Sequence, residues 1–153
     1  MSTLQQLSFA RMYTLGQVKQ SPEAEWDVQP EGFSNTIRWN IGHIYVVMEN
    51  FISKALPGYE VVNAEWMPLF VPGSSPSKWE TEAPSNKELW DALKEQEQRV
   101  TSALEGKLND PLPEPVQIRD HKMETVDALV QFTVWHEGVH AGVISGLNRV
   151  VSK

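Results

Sequence analysis

From Glu124 to Val151 the chain carries no proline, and Val126, Leu129, Val130, Phe132, Val134, Val139, Val143, Ile144 and Leu147 recur through it at helical spacing. The spacing predicts one long amphipathic helix, whose apolar face has to be covered by other elements. The upstream sequence supplies them. Leu4, Leu7, Met12 and Leu15 predict a helix over about residues 3 to 19, stopped by Ser21-Pro22. After a polar loop to Gly32, Ser34 or Asn35 can cap a second helix bearing Ile37, Ile41, Ile44, Val47, Met48 and Phe51, which ends at Pro57-Gly58. Residues 57–84 hold five prolines and two glycines around Trp66, Leu69, Phe70 and Trp79, which predicts a long ordered crossover loop. Ser85-Asn86-Lys87-Glu88 fits a capping box and opens a helix over about 86 to 105, with Leu89, Leu93, Val100 and Leu104 as its apolar stripe. Lys94, Glu95, Glu97 and Arg99 read there as a solvated face. A proline-rich connection from Leu108 to Val116 leads to the last helix, and no alternating strand pattern stands out. The expected fold class is all-α: a single domain over 1–153, an up-down four-helix bundle with a long crossover loop between helices 2 and 3.

Charge narrows the partners. With 13 basic against 20 acidic side chains the formal charge is -7, which repels nucleic acid and anionic membrane surfaces. No cysteine is present, so a disulfide framework, a Cys-ligated zinc site and a thiol nucleophile of the chain's own are all excluded. Any thiol chemistry needs an external thiol. The N-terminus lacks a basic stretch followed by an apolar one, and no run approaches the roughly 18 apolar residues of a membrane span. A soluble cytoplasmic protein is expected.

Within the last helix lies Trp135-His136-Glu137-Gly138-Val139-His140-Ala141-Gly142, which contains the H-E-x-x-H spelling of a zinc peptidase helix. Residues four apart lie about 40° apart around the helix and one turn along it, so His136 and His140 can chelate one ion. A catalytic site normally takes three protein ligands. In the extended peptidase pattern the third ligand would fall on Gly146, and from Ala141 to Lys153 there is no Asp, Glu or His. The upstream candidates are His43 and His121, besides carboxylates. His121 sits in Q-I-R-D-H-K and reads as solvent-exposed. His43 lies between Ile41, Ile44 and Val47, where an imidazole needs either a hydrogen-bond partner or a metal to offset its desolvation. Gly42 and Gly138 would let backbone or substrate approach closely.

Thr36 to His43, T-I-R-W-N-I-G-H, taken with H-E-G-V-H-A-G from His136 to Gly142, resembles the DinB-like superfamily of four-helix metal-binding proteins, which includes thiol-dependent S-transferases. The likeness follows the order of elements over nearly the whole chain. It implies metal ligation by one histidine of helix two and two of helix four, here His43, His136 and His140, and it implies a homodimer. Position 143 is Val and position 141 is Ala, where family members often carry a polar and a basic residue.

Three neutral imidazoles leave a divalent transition metal its full charge, and such a centre favours an anionic fourth ligand. Zinc and nickel head the candidates, with iron and cobalt also suited to this donor set. The resemblance implies an S-transferase that activates an external low-molecular-weight thiol against a small electrophile. Glu137 is the candidate catalytic proton acceptor, with an exposed helix carboxylate as the alternative. A metal-dependent small-molecule hydrolase and a non-catalytic metal-binding stress protein are the competing expectations. Peptidase activity is expected to be absent, because a metal between bundle helices suits a molecule of pocket size.

Overall fold

The computed structural model describes residues 1–153 in full. Four long helices, α1 (Thr3–Gln20), α2 (Ile37–Ala55), α4 (Asn86–Leu104) and α5 (Val126–Val151), form a bundle. A one-turn helix α3 (Met67–Phe70) lies in the crossover, and an antiparallel hairpin of β1 (Pro111–Ile118) and β2 (His121–Thr125) precedes α5.

Each long helix starts where a side-chain oxygen can take an orphan amide. Ser2 and Ser85 make capping boxes with Gln5 and Glu88. Thr125 accepts from the Ala128 amide. The second helix is capped by Thr36, whose Oγ1 accepts from the Trp39 amide at 3.1 Å, rather than by the expected Ser34 or Asn35 just before it.

The hairpin corrects the all-α expectation. Val116 pairs with Met123, Gln117 with Lys122 and Ile118 with His121 around a turn of Arg119 and Asp120, and the register is irregular back to Pro111 opposite Thr125. Prolines at 111, 113 and 115 made this segment read as a connection. A two-stranded ribbon tolerates them because one edge of each strand needs no donor.

Helix directions differ from the expected up-down alternation. Arg38, Tyr45 and Glu49 of α2 meet Asn86, Gln96 and Arg99 of α4 in that order, so these helices run parallel. Arg11 and Gln17 of α1 meet Glu137 and Asn148 of α5, a second parallel pair. The order is up-down-down-up, because the long crossover carries the chain back past α2 before α4 begins.

The crossover is part of the core. Phe70 is fully buried, against Trp79 edge-to-face and beneath Gly42, where a Cβ would overlap its ring. Burying a side chain of that size stabilises by about 1.5–3 kcal/mol. Trp66 and Trp79 pack on the same cluster. Met12, expected in the α1 stripe, is instead 61% exposed, and Arg11 takes the buried place beside it.

Arg11 starts a chain of buried polar contacts. Its Nε and Nη2 donate to Glu137 Oε1 and Oε2 at 2.7 and 3.1 Å, its Nη1 to the Leu93 carbonyl at 2.6 Å, and Nη2 also to Gln96 Oε1 at 2.9 Å. Gln96 Nε2 donates in turn to Glu49 Oε1 at 2.9 Å, and Arg99 Nη2 reaches the same oxygen at 2.7 Å. Arg99 is therefore not part of a merely solvated face. It neutralises a carboxylate that is fully buried. No helix is long and apolar enough to cross a membrane.

Candidate metal centre

α2 and α5 pack antiparallel, and their contact brings His43, His136 and His140 together with ligand atoms all within 4.8 Å of one another. His43 Nε2 and His136 Nε2 are 3.1 Å apart. Two nitrogens bound tetrahedrally at 2.0–2.1 Å from zinc lie about 3.3 Å from each other, so this pair already has ligand spacing.

The other ring nitrogens show which lone pairs point inward. His43 Nδ1 lies 2.6 Å from the Phe70 carbonyl, which can only accept, so Nδ1 carries the proton and Nε2 offers its lone pair. His140 Nδ1 lies 2.8 Å from Asn40 Oδ1. Asn40 Nδ2 donates to the Thr36 carbonyl and to Asn35 Oδ1 at 2.8 and 2.7 Å, which fixes the amide orientation and makes Oδ1 the acceptor. His140 Nε2 is thus also free to ligate. Such outer hydrogen bonds fix tautomer and ring direction in metal sites.

Trp39 stacks on His43 with centroids 4.4 Å apart and planes 14° from parallel, and its Nε1 donates to Ser74 Oγ at 2.9 Å. Trp79 Nε1 donates to the Leu69 carbonyl, so the crossover is clamped where it presents the Phe70 carbonyl to His43. Gly42 permits that approach. Gly138, expected to do the same, has nothing within 4 Å of an added Cβ.

Burial keeps the imidazoles neutral. Desolvation, with the neighbouring His140 and His43, pushes His136 down to about 3, and desolvation with His43 pushes His140 down to about 4. His43 is lowered by desolvation against the opposing Phe70 hydrogen bond. At neutral pH all three are in the ligating form.

His121 lies at the start of β2, exposed and apart from this cluster, as its sequence context predicts. Glu137 is fully buried, and both its oxygens are held by Arg11. Consecutive helix residues point about 100° apart, so the carboxylate turns toward α1 and α4 while His136 turns toward α2. Asn40 and the Phe70 carbonyl went unnoticed in the sequence. Asn40 sits one turn before His43 on the same helix face, which was a usable signal; a loop carbonyl leaves none.

A helical bundle with three histidine lone pairs converging between two helices, two of them oriented from behind, defines a class of protein able to bind a divalent metal ion. The family model for the DinB superfamily matches residues 6–144, and the chain belongs to that superfamily. A search of curated proteins found no match.

Proposed function

We propose that the chain is a divalent-metal-dependent enzyme acting on a small molecule, and that its reaction is transfer to an external low-molecular-weight thiol. The observation that carries this reading is the pair of back-side hydrogen bonds, His43 to the Phe70 carbonyl and His140 to Asn40, which leave the Nε2 of each free to ligate in a cluster whose ligand atoms lie within 4.8 Å of one another. A group bound there supplies a Lewis-acid centre that lowers the pKa of a thiol or water ligand. Zinc or nickel suits the donor set best.

The chain's own residues hold this centre and limit access to it. His43 is buried and walled by Trp39, whereas His136 and His140 are half-buried, so substrate approaches from the α5 side. Glu137 acts as a positioning residue. Its ion pair with Arg11 fixes the rotation of α5 about its axis and thereby the aim of both histidines. A long polypeptide does not suit a cluster between packed helices, so peptidase activity is excluded from the proposal. The exposed Phe9, Met12 and Tyr13 of α1 support self-association as a homodimer.

The test is turnover of a chromogenic small electrophile by metal-loaded protein with and without added thiols. Turnover that requires thiol and is lost in His136→Ala supports the transferase. Turnover without thiol supports hydrolysis, and none with any thiol tried favours the non-catalytic reading.

A further inference from the structure

A concave site apart from the histidine cluster lies where the hairpin meets α5. It is a cavity of about 530 Å³, within the usual size range for small-molecule pockets. Its floor is apolar: Ile118, Met123, Phe132 and Trp135 line it. Phe132 and Trp135 are in aromatic contact, with centroids 5.3 Å apart, and Trp135 is 60% exposed. Alternation along β2 places His121 on the face of Met123, toward the cavity.

The polar lining is one-sided. Arg119 and His121 are the polar residues there, and no carboxylate joins them. Other sizeable surface cavities each include an acid: Glu114, Glu65, Glu97 or Glu23. In a chain of charge -7 that difference matters. Arg119 also lacks a counterion. The arginines at 11, 38 and 99 are ion-paired, whereas Arg119, like Arg149 at the end of α5, is in no ion pair, and its side chain makes no hydrogen bond; its carbonyl accepts one from Gln117 Nε2. Arg119 has φ 53°, a left-handed conformation that Gly, Asn or Asp would adopt with less strain. Arginine therefore occupies a turn position for which its backbone is poorly suited, next to an aromatic surface and with its guanidinium free.

We propose that this cavity binds a small amphipathic anion, with a flat apolar body against Phe132 and Trp135 and a carboxylate, sulfonate or phosphate received by Arg119 and an imidazole N–H of His121. Guanidinium binds such groups through paired N–H donors. The proposal is independent of the reaction assigned to the histidine cluster, since none of the three ligands lines the cavity.

The probe is 2-naphthalenesulfonate, a poor metal ligand, titrated into the full chain by calorimetry, with uncharged 2-(methylsulfonyl)naphthalene as its isostere. The expected result is saturable one-site binding that weakens at least fivefold for the sulfone and at least fivefold in Arg119→Gln, and is lost in Trp135→Ala. In the parent protein the Trp135 indole N–H resonance shifts along the same isotherm. Equal binding of the sulfone, unchanged sulfonate binding in either variant, or a Trp135 resonance that does not move overturns the proposal.

Discussion

Arg11 of α1 and Glu137 of α5 meet inside the bundle in a two-pronged ion pair, with their side chains 1% and 2% exposed. The pair gives the H-E-x-x-H helix a different logic from that of a peptidase. There the glutamate faces the metal as a base. Here it faces away, and its partner also anchors α4 through the Leu93 carbonyl.

Breaking that pair from one side leaves a buried charge unmatched. Arg11→Met and Glu137→Leu are each expected to lower stability by about 3–5 kcal/mol, with the double variant recovering part of the loss. Urea unfolding of the three proteins measures this. A double variant that loses the sum of the single effects would show that the two side chains do not act as a pair.

Gly42→Ala forces a methyl group into the Phe70 ring. A cost of about 1–3 kcal/mol is expected, from overpacking. Phe70→Leu on the same background should restore part of the melting temperature. Full stability of Gly42→Ala alone would contradict the close packing of crossover on α2.

Asn40→Ala removes the acceptor that orients His140. Metal affinity should fall about 10- to 100-fold. Competition against a chromogenic chelator reads the loss, and His121→Ala serves as the control expected to bind like the parent. An Asn40→Ala protein with parental affinity would remove the orienting role.

In the metal-free protein, acid should destabilise the fold before carboxylates titrate. His136 is lowered to about 3 and His140 to about 4, both by desolvation first, from an ordinary value of 6.5. Between those values and 6.5 the unfolded chain binds more protons than the folded one, so stability rises with pH across that window and falls as pH drops through it. Melting temperatures of the apo protein at pH 7, 6 and 5 should decrease in that order. His136→Phe should flatten the trend.

The helices were legible because each has its own punctuation: the Ser85–Glu88 capping box, the Pro57-Gly58 stop and a long proline-free run at the end. His136 and His140 were legible because chelation by i and i+4 is a local geometry, and His43 because an imidazole among Ile41, Ile44 and Val47 needs an explanation. The rest depends on contacts between distant segments. Three prolines in β1 hid a hairpin whose pairing partner lies across a two-residue turn. The parallel course of α2 and α4 is set by where the crossover packs, as Phe70 beneath Gly42 and Ser74 on Trp39 show, and neither contact can be read from spacing along the chain. Arg11 did leave a trace, lying four residues from both Leu7 and Leu15 on the buried side of α1, but its partner on α5 did not.

His43 and His136 are 93 residues apart in a chain without cysteine. An ion held by both ties the second helix to the last, much as a disulfide ties two strands of a secreted domain. In the chain-entropy description, closing a loop on the order of a hundred residues restricts the unfolded ensemble by about 4–5 kcal/mol. A disulfide is governed by redox potential. This cross-link would instead be governed by metal supply and acidity, so the protein's lifetime as well as its chemistry would follow the availability of the ion.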